Sequence, residues 1–306
     1  MRFGVMSFCR APYDDLSARI LSAEALGFDS AWVDDDLNLP RYADFEPWSL
    51  LAALARDTTR IRLGTLVTVV TFRHPSFLAS QIVTADHVSH GRVTVGIGSG
   101  GPPNTYRAYG YEEWSPRERM ERLEEQVRIL DSLLRGDTVG SDGPHYPVAG
   151  AQVSRPLQQP RPPIVVAAHG DRGMRLAARY ADGWNSLGGQ PYPHAEDPAR
   201  RVSLDDVVAE TRRRSERLDA ACRDIGRNPD ELERSVLAYR PVPDPLSSID
   251  AFDEYVGRYR EIGIDEIVFY WPTLDQLFGG MPFTAADQQR FERVVSQRMP
   301  AYRPPA

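Results

Sequence analysis

The sequence predicts an α/β fold of the (β/α)8 TIM-barrel class, and three observations carry that prediction. Apolar runs of strand length alternate with amphipathic, helix-length segments eight times along 306 residues. Barrels of this class run from about 200 to over 400 residues. The run at 93–98 sets Val93, Val95 and Ile97 among small residues, a composition that suits a strand buried on both faces where helices pack close. No repeat, low-complexity tract or linker cuts the chain, so residues 1–306 read as one domain.

The first strand is expected at 2–8, followed by a helix over 14–26 in which Leu16, Ile20, Leu21 and Ala25 fall at helical spacing before Gly27. A second strand at 30–33 runs into Asp34, Asp35 and Asp36, and Pro47 suits the first turn of a helix over 47–56. A third strand covers 61–67 and a third helix 75–88. The stretch GRVTVGIGSGG at 91–101 holds the fourth strand, 93–98, where small residues between Val93, Val95 and Ile97 permit close packing. Its Gly96, Gly98 and Gly101 match G-x-G-x-x-G, but a dinucleotide turn opens directly into a helix, and here Pro102 and Pro103 intervene. The stretch therefore reads as a strand end opening a ligand-facing loop.

A long amphipathic helix follows over 117–135, carried by Met120, Leu123, Val127, Leu130 and Leu134. After a turn-rich insert at 136–163 come strands at 164–168, 183–186, 235–240 and 266–271, with helices at 172–180, 204–225, 249–262 and 285–299. Inserts thus follow the fourth strand and separate the fourth helix from the fifth strand.

Composition narrows the chemistry. Hydrophobic residues make up 42% and charged residues 26%, as in a soluble protein with a sizeable core. A net charge of −7 argues against nucleic acid as a main partner. No apolar run has membrane-spanning length, and MRFGVMSF begins as a strand rather than a signal peptide. With only Cys9 and Cys222, a disulfide framework is not expected and a reducing cytoplasm is. The chain has no lysine, so all 36 basic residues are arginine. Schiff-base chemistry, pyridoxal attachment and a P-loop lysine are excluded, and anions must be held by arginine, backbone N–H groups or helix N-termini.

In this fold the active site lies at the C-terminal ends of the strands. That rule selects residues 7–9, 34–36, 68–74, 99–104, 168–170, 185–186, 240 and 270–271. His74, His145 and His169 lack metal-ligand spacing, and neighbouring side chains at 34–36 point apart on a strand. The run His169-Gly170-Asp171 opens a helix and suits either a phosphate or an ordinary turn capped by Asp171. The three aspartates form either a solvated loop or, if one is desolvated, an acid. Lifting an aspartate about three units from roughly 3.9 costs on the order of 4 kcal/mol. Cys9 is either a packing residue or a nucleophile, and Trp32, Trp184 and Trp271 either line a ring-binding cleft or pack in the core.

Four runs in register resemble one family: IRLGTLVTVVTFRHP (61–75), HVSHGRVTVGIGSG (87–100), RAYGYEEWSPRERMERLEEQVRIL (107–130) and PRPPIVVAAHGDRGMRLAARYADGWN (160–185). They resemble the bacterial luciferase-like family, and within it the branch that uses the deazaflavin coenzyme F-420. The resemblance implies a barrel, usually dimeric, that binds F-420 or reduced FMN at its C-terminal mouth. With F-420 such enzymes move a hydride at ring carbon 5; with FMN, supplied by a flavin reductase, they activate O2 as monooxygenases. It further implies a non-prolyl cis bond at Leu66–Val67 beneath the ring, with Thr68, Ser99, Gly100 and Asn104 facing ring or tail. Ala168, His169 and Gly170 would lie near the phosphate. Where the family has W-x-x-[DE]-H this chain has Trp32-Val33-Asp34-Asp35-Asp36, and Gly101 stands where F-420 members often place Glu. Asp36, with Asp35 beside it, is then the expected acid–base group. Cys9, Trp114 and Trp271 are expected to line the substrate pocket, with Tyr42, Phe45 and Tyr192 pointing to an aromatic substrate and Trp114 and the 187–203 loop closing it. Two other classes stay open: a barrel that binds a cofactor or ligand without turnover, and a metal-dependent hydrolase.

Overall fold

A computed structural model describes residues 1–9, 12–35, 45–100, 104–107, 109–188, 202–273, 276 and 282–303. Eight parallel staves close into a barrel. They are β1 (Arg2–Ser7), β2 (Ser30–Val33), β3 (Arg62–Thr65) continued by β4 (Thr68–Val69), β5 (Val93–Gly98), β8 (Ile164–Ala167), β9 (Gly183–Leu187), β10 (Glu233–Leu237) and β11 (Glu266–Tyr270). The order β1-β2-β3-β5-β8-β9-β10-β11 returns to β1, where Gly4 lies in register with both Ser30 and Val268. The predicted barrel is therefore the observed one. The remaining strands, β6 (Val139–Ser141) and β7 (Val148–Ala151), form an antiparallel hairpin inside the expected insert. It is seated on the barrel by Glu125, whose carboxylate accepts from the Tyr146 and His145 amides.

Helices α1 (Tyr13–Ala25), α2 (Pro47–Asp57), α3 (Pro75–Val88), the short α4 (Asn104–Arg107), α5 (Pro116–Leu134), α6 (Asp171–Tyr180), α7 (Leu204–Asp224), α8 (Ile249–Glu261) and α9 (Ala285–Tyr302) lie outside the strands. Three of them begin alike. Pro47, Pro75 and Pro116 occupy the first turn, while the side chains of Glu46, His74 and Ser115 accept from first-turn amides. His74 is thus committed to a helix cap. The apolar faces of the helices meet the outward side chains of the staves in one continuous outer core, in which Leu130, Leu133 and Leu134 of α5 are fully buried. Each such leucine stabilises the fold by about 1.5–3 kcal/mol. A second, smaller cluster fills the barrel interior around Met6, Trp32, Val165 and Val268.

Several strand ends differ from the sequence expectation by a residue or more, and three of them stand out. The third stave breaks after Thr65, and the Leu66–Val67 peptide that follows is cis. The stave expected at 235–240 runs Glu233–Leu237, and Arg240 beyond it takes a left-handed φ of 44°. The last stave stops at Tyr270, one residue short, where the Trp271–Pro272 bond is cis.

Candidate active site

The C-terminal mouth is built around the break in the third stave. There β4 resumes pairing with β5, Thr68 opposite Ile97 and Val69 opposite Gly98. Gly96 sits where a Cβ would overlap the Thr65 carbonyl oxygen, so close approach of β3 and β5 requires glycine. Behind the break runs a buried chain of hydrogen bonds. The Trp48 indole N–H donates to Thr68 Oγ1 (3.0 Å), Thr68 donates to Thr65 Oγ1 (2.8 Å), and Thr65 donates to the Gly96 carbonyl (2.8 Å). Indole can only donate, so the chain has one direction.

Leu66 and Val67 belong to the interior cluster, together with Leu187, Leu237, Phe8, Tyr239 and Tyr270. Phe8 stacks on Tyr270 with centroids 5.8 Å apart, and Tyr239 meets Tyr270 edge-on at 6.3 Å. In the strand order Tyr239, just beyond β10, stands four staves from β3 and so faces the Leu66–Val67 lip across the mouth, with Tyr270 and Phe8 at the ends of the staves between, β11 and β1. An aliphatic lip opposed by aromatic rings fits a planar, ring-shaped ligand.

At the end of β2, Asp35 is held on both oxygens. Arg73 donates to it twice, Nη1 to Oδ2 at 2.5 Å and Nη2 to Oδ1 at 3.0 Å, and the Val69 amide donates to Oδ2 at 3.0 Å. Arg73 also reaches Glu46 at 2.6 Å. Complete burial pushes the Asp35 carboxyl up to about 6 even against Arg73, so it is ionised at neutral pH. Beside it, Asp34 Oδ1 accepts from the Cys9 amide and its carbonyl from the Cys9 thiol, which fixes the end of β1 to β2.

At the end of β8, the Leu187 amide donates to His169 Nε2 at 3.1 Å, leaving the ring proton on Nδ1. Desolvation, and then Arg214, push this imidazole down to about 4, so it is neutral at physiological pH. Gly170 precedes α6 without a side-chain cap, and nothing lies within 4 Å of where its Cβ would be. Arg217 pairs with Asp171 in the first turn and donates to the His169 carbonyl at 3.3 Å. This turn offers backbone N–H groups and arginine, rather than a protonated histidine, to an anionic tail.

The structure separates the expected site residues into two groups. Leu66, Val67, Ser99, Gly100, Ala168, His169 and Gly170 lie at strand ends around the mouth. Gly100 takes a left-handed φ of 83°, and its carbonyl accepts from Arg119 at 3.0 Å. Other expectations are corrected. Thr68 is fully buried, and its hydroxyl serves the chain behind the break rather than a ligand. Asp35 has both oxygens engaged and is not an open acid. Cys9 is 1% exposed and packs in the outer core. Trp271 stacks on Phe291 of α9 at 4.1 Å, and Trp184 donates to the Ala168 carbonyl from the outer core, so neither lines the mouth. Trp114 lies under Arg122 of α5, 3.7 Å from the guanidinium carbon, against that same core. Asp36, Gly101, Tyr42, Tyr192 and the side chain of Asn104 lie outside the described residues. Sequence reasoning missed Glu46 and Tyr239; it placed Arg73 within the selected stretch 68–74 but gave it no role, because its partner lies 38 positions away. Among the described residues no group of three or more His, Cys, Asp or Glu could hold a metal ion.

The fold and site together define a class. Residues 1–243 match the model of the luciferase-like monooxygenase family, and the chain belongs to that family. It is 33% identical over 280 residues to an F420-dependent glucose-6-phosphate dehydrogenase of Mycolicibacterium gilvum, covering 82% of this chain and 77% of that one. It is also 33% identical over 180 residues to the protein of that name from Amycolatopsis mediterranei, covering 58% of this chain; here the chain spans about half, 54%, of its relative's length. The fold is shared with the F420-dependent tetrahydromethanopterin reductase of Methanopyrus kandleri, at a TM-score of 0.76, 16% identity and 99% coverage of both chains.

Proposed function

We propose that this protein is an oxidoreductase that uses coenzyme F-420 or reduced FMN on a small, aromatic organic substrate. The observation that carries this reading is the lip at the break of the third stave, Leu66–Val67, opening into the barrel opposite Tyr239, with Tyr270 and Phe8 beside it in the same interior cluster. Leu66 and Val67 would support one side of the ring, the aromatic group would bound the cavity, and the His169–Gly170 turn with Arg217 would hold an anionic tail. When bound, the cofactor supplies a hydride at its ring or, as FMN, a means of activating O2. The protein's part is to orient the ring, exclude water and deliver a proton.

Asp36 is the proposed proton donor or acceptor, since Asp35 is tied to Arg73 and His169 is neutral. Asp36→Asn is expected to lower turnover by about 10²–10⁴-fold while leaving cofactor affinity nearly unchanged. An unchanged rate removes Asp36 from the mechanism. The relatives' names favour F-420 and the family's name favours an O2-using reaction. A cytoplasmic homodimer of one-domain chains, served by a flavin reductase if FMN is the cofactor, completes the proposal; no described helix is long and apolar enough to cross a membrane. The locked Asp35 favours a second reading, a barrel that binds the cofactor without turnover. Spectral change of the bound cofactor on adding substrates or O2 separates the two.

A further inference from the structure

We propose that Arg73 is a positioning residue for this site. It ties the ends of β2, β4 and α2 into one lip on which the ring rests, an inference built on the cofactor reading above. Its side chain is 5% exposed and meets two carboxylates, one from each side of the segment 36–44: Asp35 before it and Glu46 after it. Asp35 passes the constraint on through the Val69 amide, and Val69 stands opposite Gly98 at the end of β5. The Val70 amide donates to the Gly98 carbonyl at 3.3 Å. From the other side, buried Gln126 of α5 donates to the Arg73 carbonyl at 2.9 Å, fixing the backbone of the residue that does the clamping. One guanidinium thus sets the relative positions of two stave ends and one helix start.

The energetics point to placement rather than stability. A buried ion pair returns little net stability, because the desolvation of both charges offsets their attraction. Immediately beside it, the neutral Trp48–Thr68–Thr65 chain holds β4 without any charge. What the ion pair adds is geometry. Guanidinium is planar and permanently charged, and it can grip Asp35 with two parallel N–H groups while reaching Glu46 with one of them. A lysine ammonium keeps the charge but cannot reproduce that fork.

The test uses the full chain and three proteins: wild type, Arg73→Lys and Val256→Ala, the last removing outer-core packing on α8, remote from the lip. Oxidised FMN and oxidised F-420 are titrated against each by fluorescence, thermal midpoints are recorded, and hydrogen exchange is followed in peptides spanning 62–75. Arg73→Lys is expected to lose about tenfold or more in affinity, equivalent to ~1.4 kcal/mol or more, and to exchange faster across 62–75. Val256→Ala is expected to lower the midpoint with affinity and 62–75 exchange close to wild type. Wild-type affinity and exchange in Arg73→Lys, or losses that merely follow the midpoint in both variants, overturn the positioning role. If wild type binds neither cofactor, the functional reading fails instead, and unchanged exchange in Arg73→Lys would then remove the clamp as well.

Discussion

Replacing Thr68 with valine separates two accounts of the same residue. Family resemblance places the Thr68 hydroxyl toward a cofactor, whereas the structure buries it fully between the Trp48 indole and Thr65 Oγ1. Valine preserves the volume and removes the hydroxyl. Two consequences follow behind the lip: the Trp48 N–H loses its acceptor, and Thr65 Oγ1 loses the proton it received. A buried donor left unsatisfied costs about 1–3 kcal/mol, and the added methyl recovers part of it. A net loss of about 2 kcal/mol is expected, which for a chain of this size moves the thermal midpoint down by a few degrees. Urea unfolding followed by circular dichroism gives the stability change, with an unchanged m-value as the sign that the native state keeps its compactness. Cofactor affinity should fall by less than the stability loss. Full stability combined with a large loss of affinity would refute the buried assignment and return Thr68 to the ligand.

Gly96→Ala puts a methyl group onto the Thr65 carbonyl, with the Thr65 carbonyl carbon at 3.1 Å and neither strand free to move in a closed barrel. It is expected to cost about 1–3 kcal/mol or more in urea unfolding, and a cost under half a kilocalorie would contradict the packing. Gly170→Ala meets nothing within 4 Å, so stability should stay near wild type while affinity for a phosphate-bearing cofactor drops; equal affinity would remove this turn from the tail site. His169 should show the Nδ1–H tautomer and stay neutral down to about 4 in NMR titration. Because its folded value lies below the unfolded one near 6.5, its contribution to stability is complete above 6.5 and is lost as the pH falls from there toward 4. Titration near 6.5 would show that the Leu187 amide does not hold the ring.

The eight staves were legible because a buried parallel strand reads as an apolar run whatever its partner, and helix starts were legible at Pro47, Pro75 and Pro116. Side-chain destinations were less so. Trp184 and Trp271 sit near strand ends, as a cleft-lining residue would, but the pleat sends their rings outward against helices. The sequence could not show which of three consecutive aspartates meets Arg73, since that depends on bringing positions 35 and 73 together through two staves. The break in the third stave was anticipated only through family resemblance; propensity alone reads 61–67 as one unbroken strand.

Equilibrium titration of the purified chain with reduced and oxidised F-420 and FMN tests the central claim most directly. One of these cofactors should saturate at one per chain, and Leu66→Asp, which places a charge on the inner lip, should abolish that binding while the protein stays folded. Binding of neither cofactor, or binding indifferent to Leu66→Asp, would contradict the account.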